Sequence, residues 1–221
     1  MQTATQRWSI LLILLFLTGV VFLFFHLYLR IPSPKVEKET PQEEAAALEV
    51  PSVSIINPSR GSAGAKITIV EFGDYQCEAC RDLAASLETI RRDFPDSVRI
   101  VWKDLPNESL HSEATPAAIA ARCAQEQGGF WTYQDLLFTQ MNLLGSSTYT
   151  AIAQALELNM DSFNRCISSR APLPKIQRDY EEAIALSLTA TPTIFVNEER
   201  YVGAIPTEEL RGIIQKELES L

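Results

Sequence analysis

Two cysteines three residues apart are the clearest chemical feature of this 221-residue sequence. Cys77 and Cys80 lie in the segment EFGDYQCEACRDL, directly after a short apolar run. Two thiols at this spacing can hold a metal ion, close a structural bridge or exchange electrons as a dithiol/disulfide pair. The rest of the sequence has to decide between these three kinds of chemistry.

The first two kinds have little support elsewhere in the chain. A zinc site needs four nitrogen or sulfur ligands, and beyond this pair the sequence offers only Cys123, Cys166 and two histidines. A structural bridge over so short a loop would restrict the unfolded chain very little, because that restriction grows with loop length. A redox pair is therefore the favoured interpretation, and we expect it to need no metal and no cofactor.

A strand followed by a helix surrounds the pair. Residues 66–72 (KITIVEF) are apolar and β-branched, as in a buried strand. From Cys80 apolar residues recur at helical spacing as far as Pro95, and residues 98–102 have the pattern of a second strand. Cys77 would then lie at a helix N-terminus, where unpaired N–H groups and the helix dipole stabilise an anion. At such sites the cysteine pKa falls from about 8.5 to about 3.5–7.5, so the sequence predicts a thiolate nucleophile.

The remainder of the domain continues this alternation of helices and strands. Residues 112–188 are alanine-rich and amphipathic, which indicates a helical insertion. Strand patterns return at 193–196 and 201–202, and a last amphipathic helix starts at Thr207. We therefore predict one α/β domain over residues 57–221, in the order strand, helix, strand, helical block, two strands and helix.

The chain before this domain has a different composition. After a tail at 1–7, residues 8–29 contain no charged side chain, and an apolar helix of about 20 residues crosses a bilayer. We predict a transmembrane anchor there; a cleaved signal peptide is the alternative, but its apolar region is only about 7–15 residues long. Residues 30–56 are rich in proline and glutamate, which predicts a stiff, solvated linker. Within it, residues 53–56 (VSII) have the pattern of an edge strand.

The charges of the chain restrict its possible binding partners, but they do not decide the orientation of the predicted anchor in the membrane. Arg7 flanks one side of the apolar run, and Arg30, Lys35 and Lys38 flank the other, so the positive-inside rule favours neither orientation. Long domains translocate largely regardless of these charges, which is compatible with an exported domain. The formal net charge of −9 argues against nucleic acid or an anionic lipid surface as partner.

Three segments carry a resemblance to a known family. GDYQCEAC (73–80), ARCAQEQGGFWTYQDLLF (121–138) and TATPTIFVN (189–197) together resemble the DsbA family, over about residues 57–221. The resemblance implies a thioredoxin fold with an inserted helical subdomain and dithiol–disulfide exchange outside the cytoplasm. By analogy it implies exported proteins with cysteine thiols as substrates and a membrane redox partner, such as a quinone-linked oxidase, that resets the pair. The expected location is a bacterial inner membrane, with the catalytic domain on its extracytoplasmic side.

The resemblance also implies roles for individual residues. Cys77 corresponds to the attacking thiolate and Cys80 to the resolving thiol. Pro192 is expected to follow a cis peptide bond in a loop that faces the pair. The exposed backbone of Thr191 can then pair with an extended substrate, as in strand addition.

A buried acid that handles the proton of the inner thiol is the last role that the resemblance implies, and it falls on Glu71. We hypothesise that Glu71, with Lys103 nearby, accepts the proton of Cys80 as the mixed disulfide resolves. The alternative is a hydrogen-bonded carboxylate at the end of a strand. His111 is interpreted as a loop residue near a helix start rather than as a catalytic group.

The remaining cysteines, Cys123 and Cys166, lie in helix-like sequence within the insertion. An even number of cysteines in an exported domain favours a second disulfide between them. The alternative is a pair of buried thiols that behave as small apolar groups.

The direction of electron flow depends on the residues between the cysteines. The DsbA motif carries a histidine just before the second cysteine, where this chain has Ala79. Glu78 adds a negative charge beside Cys77, which disfavours the thiolate and predicts a weaker oxidant. We expect oxidation of dithiols in exported proteins. The alternatives are a disulfide isomerase, a reductase and a non-catalytic binding or chaperone module. The reductase could also be one that faces the cytoplasm.

Overall fold

The computed structural model describes residues 4–30 and 48–221, which belong to two separate units, 1–45 and 46–221. The described part of the first unit is one helix, α1 (Ala4–Arg30). The anchor predicted over residues 8–29 falls on this helix and is not supported there, since no helix among the described residues is both long and apolar enough to cross a membrane. Most of the predicted linker, residues 31–47, lies outside the described residues.

The second unit is built around a mixed β-sheet. Its described strands are β1 (Ser59–Gly61), β2 (Ile67–Gly73), β3 (Val98–Asp104), β4 (Thr193–Val196) and β5 (Glu199–Val202). They lie in the order β1-β3-β2-β4-β5. β2 and β3 are parallel, and the other neighbouring pairs are antiparallel.

The helices of this unit follow the predicted order. They are α2 (Glu78–Asp93), α3 (Ala114–Gln125), α4 (Phe130–Thr139), α5 (Ser146–Ala155), α6 (Met160–Ser169), α7 (Leu173–Ala185) and α8 (Thr207–Ser220). α2 crosses over between the parallel strands β2 and β3, whereas α3 to α7 form a helical block inserted between β3 and β4. The predicted α/β domain with a helical insertion is confirmed.

The sheet separates two apolar layers, because successive side chains of a strand point to opposite faces. Ile67 and Ile69 of β2 pack on one face with apolar residues of α2 and α8. Val70 and Phe72 pack on the other face with Ala183 of α7. Odd-numbered residues of β2 therefore face α2, which carries the cysteine pair. Even-numbered residues face the helical insertion.

The edge of the sheet corrects one prediction. Residues 53–56 form no strand, and the edge strand is Ser59–Gly61. The amide N–H of Asn57 donates to the carbonyl of Ser54 (3.1 Å), and the Asn57 side-chain carbonyl accepts from the Ser54 N–H (3.1 Å). The carbonyl of Ile56 accepts hydrogen bonds from side chains of α3. These local bonds occupy backbone groups that strand pairing would need, so the β-branched pattern is overridden by a turn.

A buried ionic network joins the insertion to the sheet. The guanidinium of Arg122 lies 2.6 Å from a carboxylate oxygen of Asp104 and 2.5 Å from one of Asp179. Lys103 pairs with Glu182, and its Nζ lies 3.7 Å from Asp179. Because a buried charge left without a partner costs several kcal/mol, about 3–5 in measured cases, these contacts fix how α3 and α7 pack on β3.

Candidate active site

The redox pair lies at the start of α2, directly after the central strand. Cys77 is the N-cap residue, with extended backbone (φ −86°, ψ 116°), and its Sγ accepts a hydrogen bond from the N–H of Cys80 at 3.3 Å. Both cysteines are free thiols. Cys77 is 9% exposed and Cys80 is fully buried, so a substrate can reach only the outer sulfur.

The two sulfurs differ in acidity. A hydrogen bond from the Cys80 thiol is the largest cause that lowers the pKa of Cys77, and with the Cys80 N–H and the side chain of Thr191 it brings this pKa to about 6 despite burial. Burial raises the pKa of Cys80 well above its ordinary value, and the hydrogen bond to Cys77 adds to this effect. The arrangement holds an outer thiolate beside an inner protonated thiol at neutral pH.

A negative charge other than that of Glu78 also acts against the thiolate. The carboxylate of Asp74 raises the pKa of Cys77. Glu78 lies in the first turn of α2 and is exposed, where water screens its charge. Asp74 was not identified from the sequence, although an acidic residue between a strand and a C–x–x–C pair was the available signal.

The loop before β4 faces the outer sulfur. The Thr191–Pro192 peptide bond is cis, and Cys77 Sγ lies 3.5 Å from the carbonyl oxygen of Thr191. The hydroxyl of Thr193 donates to the carbonyl of Ala190 at 2.7 Å, which ties the loop to the strand. The structure thus brings together the cysteine pair and the two loop residues that the resemblance implied.

A groove of about 470 Å³ adjoins this loop. It lies between α7 and the segment that follows β3. Its apolar walls include Leu105, Ile176, Tyr180, Ile184 and Leu188, and Thr191 lies at its edge. Tyr180 is 43% exposed and Ile184 is 58% exposed, so apolar surface is open to solvent next to the reactive sulfur.

Glu71 lies on β2, on the face that α2 covers. Its carboxyl group is almost completely buried, and its Oε1 has no hydrogen-bond partner among the described residues. Burial raises the pKa of Glu71 to about 8; the positive charge of Arg60 acts in the opposite direction, and the charge of Cys77 adds to the rise. Glu71 in turn raises the pKa of Cys80. A carboxyl group whose charge acts on the inner thiol therefore has the pKa that proton exchange near neutral pH requires.

Lys103 does not take part in this proton site, which corrects the hypothesis. Lys103 lies opposite Phe72 in the parallel pair of β2 and β3, so its side chain leaves the other face of the sheet from that of Glu71. There it belongs to the buried network with Asp179 and Glu182. The strand alternation was visible in the sequence, but the register that sets the two residues on opposite faces was not.

Arg60, on the edge strand β1, supplies the positive charge near Glu71 instead. Its guanidinium lies 4.4 Å from the ring centroid of Trp131 and 3.2 Å from a carboxylate oxygen of Glu88. Its side chain is 14% exposed. Nothing in the sequence links Arg60 to Glu71, because the link depends on pairing of β1 with β3.

The second cysteine pair is joined. Cys123 on α3 and Cys166 on α6 form a disulfide with an S–S distance of 2.04 Å and a Cα–Cα distance of 5.8 Å. The bridge lies within the insertion and leaves Cys77 and Cys80 free. The predicted division into one structural bridge and one separate thiol pair is present in the structure.

Comparison with known proteins gives the same picture of the domain. A family model described as thioredoxin matches residues 54–216. The chain is 34% identical over 155 residues to the Na(+)/H(+) antiporter NhaA 1 of Salinispora arenicola, a match that covers 70% of this chain and 24% of the relative. It is 31% identical over 168 residues to the Na(+)/H(+) antiporter NhaA of Herminiimonas arsenicoxydans, covering 76% and 27%. The chain thus spans about a quarter of the length of the curated relatives it matches.

Solved structures share the fold at low sequence identity. Alpha-DsbA1 of Wolbachia pipientis superposes with a TM-score of 0.66 at 19% identity, over 74% of this chain and 92% of the other. The catalytic domain of Proteus mirabilis ScsC gives 0.63 at 23% identity, over 75% and 91%. A periplasmic thioredoxin-like protein from Salmonella enterica serovar Typhimurium gives 0.62 at 22% identity, over 74% and 91%.

Proposed function

The chain belongs to the thioredoxin family, and on this premise we propose that it is a thiol:disulfide oxidoreductase that oxidises dithiols of exported proteins. The observation that carries the proposal is the hydrogen-bonded pair at the start of α2. There Cys77 has a pKa lowered to about 6, and burial keeps Cys80 protonated. Stepwise disulfide exchange requires one sulfur with a low pKa, which attacks or leaves as a thiolate, and a second sulfur with a higher pKa.

The proposed reaction starts from the Cys77–Cys80 disulfide. A client thiolate attacks Cys77 Sγ, a client–Cys77 bond forms, and the Cys77–Cys80 bond breaks with its electron pair going to Cys80. The buried Cys80 thiolate takes a proton, which Glu71 can donate. A second client thiolate then attacks its partner sulfur, so the client gains a disulfide and Cys77 leaves as a thiolate. The low pKa of Cys77 favours this departure.

The loop at Thr191 supports a specific placement of the client. Because the Thr191 carbonyl lies beside Cys77 Sγ, an extended client segment that pairs with this backbone would hold its cysteine in line with the reactive sulfur. The apolar groove at Tyr180 and Ile184 adjoins the same loop. We propose that client residues next to the cysteine occupy it.

The reduction potential of the Cys77–Cys80 couple tests the direction of electron flow. The purified chain would be equilibrated in glutathione buffers of known ratio, and the reduced fraction followed by alkylation. A value toward about −120 mV supports the oxidase. A value near about −270 mV, typical of thioredoxin, contradicts it and favours a reductase or isomerase. A non-catalytic binding module predicts that Cys77→Ala keeps full function.

Location and partners complete the proposal. We propose that the domain works outside the cytoplasm, where disulfides persist, and that a membrane redox partner reoxidises the pair. Protease treatment of intact spheroplasts tests the location, because protection of the domain would contradict it. Antiport is the named activity of relatives of which the chain covers about a quarter, and we do not transfer it to this chain.

Attachment to a membrane is proposed on sequence grounds alone. Residues 8–29 contain no charged side chain, and an apolar helix of about 20 residues crosses a bilayer, although no helix among the described residues is both long and apolar enough to do so. Fractionation of cells that express the chain tests this directly. Release by alkaline carbonate without detergent would overturn the attachment and leave the redox proposal untouched.

A further inference from the structure

Asp74 carries a buried carboxylate three residues before Cys77, and the exchange reaction described above does not use it. Its side chain is fully shielded from solvent. Oδ1 accepts a hydrogen bond from the N–H of Gln76 at 2.8 Å, and Oδ2 accepts one from the N–H of Asn107 at 2.9 Å. Oδ2 also lies 2.9 Å from Nδ1 of His111. Three groups on two loops therefore converge on one carboxylate next to the redox pair.

Asp74 is joined to the nucleophile in two ways. Its backbone carbonyl accepts a hydrogen bond from the N–H of Cys77 at 3.2 Å, so the turn that begins at Asp74 sets the position of the nucleophile. Its carboxylate also opposes the thiolate, because two negative charges at short range disfavour each other. Whatever compensates the charge of Asp74 therefore acts on the stability of the Cys77 thiolate.

His111 is the side chain placed to do this. It lies in the loop between β3 and α3, and its side chain is 25% exposed, whereas Asp74 is not exposed at all. We propose that His111 is a positioning residue for the exchange reaction, which acts through Asp74 by holding the turn that leads into Cys77 and by compensating the carboxylate there. This inference rests on the proposed oxidoreductase function.

The neighbouring contacts show that the two loops are held together at this point. The N–H of Glu113 donates to Oε1 of Gln76 at 2.6 Å, beside the Asp74 turn. The carboxylate of Glu113, two residues after His111 on this loop, accepts from the hydroxyl of Tyr149 at 2.8 Å. The charge of Glu113 thus has its own partner on α5, and His111 is left as the side-chain partner of Asp74.

Removing the imidazole has a defined electrostatic consequence. In His111→Leu the carboxylate of Asp74 would keep its two backbone donors and lose its side-chain donor, and hydrogen bonds to an ionised group are about twice as strong as neutral ones. The less compensated charge should raise the pKa of Cys77. A reduced form with a less stable thiolate makes the disulfide a weaker oxidant.

The test is a double-mutant cycle on the thiolate of Cys77, followed by its absorbance near 240 nm as pH is varied. We expect His111→Leu to raise the pKa by about half a unit and Asp74→Asn to lower it, since Asn carries no charge. Adding His111→Leu to Asp74→Asn should have no further effect. His111→Gln keeps an N–H donor and should stay near wild type. His26→Leu, at the other histidine of the chain, is the matched control and should change nothing.

The outcomes separate this inference from the proposed function. A wild-type pKa near the ordinary thiol value would overturn the proposed function itself. A lowered wild-type pKa that His111→Leu leaves unchanged would overturn only the role of His111. An equal shift from His111→Leu with and without the Asp74 carboxylate would show that His111 does not act through Asp74, and would overturn the inference too. Circular dichroism of each variant shows that the comparison is between folded proteins.

Discussion

The sulfur of Cys77 lies 3.5 Å from the carbonyl oxygen of Thr191, although the two residues are 114 positions apart in the chain. The contact joins the helix that activates the thiol to the loop that presents free backbone to a substrate. The helical insertion lies between the two residues in sequence. The site therefore forms only when the fold brings together the segments on either side of the insertion.

The acidity of Cys77 can be read from its reactivity. Since only the thiolate is alkylated, the rate of iodoacetamide labelling of the reduced chain should reach half its maximum near pH 6, the pKa that the Cys80 hydrogen bond produces. Cys80→Ser keeps a hydroxyl donor and Cys80→Ala removes it, so the midpoint should lie at higher pH in Cys80→Ala. Equal midpoints in the two variants would show that this hydrogen bond is not the cause.

The different roles of the two sulfurs can be tested by trapping the mixed disulfide. Without Cys80 the mixed disulfide between client and Cys77 cannot be resolved within the protein, so Cys80→Ala should accumulate it. Cys77→Ala should not, because Cys80 is fully buried. Non-reducing gels measure both, after incubation with a client peptide supplied as a dimer joined through its one cysteine. The Cys77 thiolate attacks this disulfide, a client–Cys77 bond forms, and the second peptide leaves as a thiolate. Comparable capture by Cys77→Ala would contradict the assignment.

The role of Glu71 in proton transfer should appear in the kinetics. Glu71→Gln keeps the shape but cannot exchange a proton, and general acid–base catalysis contributes about 10²–10⁴-fold. We expect single-turnover formation of the mixed disulfide from the Cys77–Cys80 disulfide to slow by about 10²-fold, with loss of the pH-dependent step near 8. Glu78→Gln, on the exposed first turn of α2, is the matched control and should keep the wild-type profile. The same pH profile in wild type, Glu71→Gln and Glu78→Gln would rule out proton transfer by Glu71.

The same buried acid should make the stability of the protein depend on pH. Burial raises the pKa of Glu71 from 4.5 to about 8, so its contribution to stability is complete below 4.5 and is lost as pH rises toward 8. At about 1.4 kcal/mol per pKa unit, Glu71→Gln should gain on the order of 3 kcal/mol relative to wild type between pH 4.5 and 7.

Urea unfolding of the oxidised chain at both pH values measures this gain. With Cys77 and Cys80 joined, neither thiol titrates, so the difference reports the carboxyl group. The prediction fails if the stability difference between wild type and Glu71→Gln is the same at both pH values.

The bridge in the insertion should matter for stability and not for chemistry. Cys123 and Cys166 are 43 positions apart, and closing a loop of that length stabilises a fold by about 4 kcal/mol in the chain-entropy model, less any native strain. The double variant Cys123→Ala and Cys166→Ala should lose up to this amount in urea unfolding. Its exchange rate per folded molecule should stay close to wild type, and a large loss of rate would instead tie the bridge to the active site.

Much of the chemistry was predictable because it depends on neighbours in the chain. The C–x–x–C spacing, the apolar strand before it and the helical pattern after it place Cys77 at a helix N-terminus, and local periodicity is enough to show this. The order of strands and helices followed from the same periodicity. The loop at Thr191 and Pro192 came from resemblance, since an X–Pro bond prefers trans and is cis in only about 5% of cases.

The tertiary structure alone decided which charges act on the site. Strand alternation shows that Glu71 and Lys103 each face one side of a sheet, but only the register of β2 and β3 shows that the two sides differ. Arg60 reaches Glu71 through pairing at the sheet edge, and His111 reaches Asp74 through the packing of two loops. These contacts join residues far apart in sequence, so no local pattern encodes them. The sequence by itself determined the kind of chemistry and the elements that carry it, and the fold determined the electrostatics that tune it.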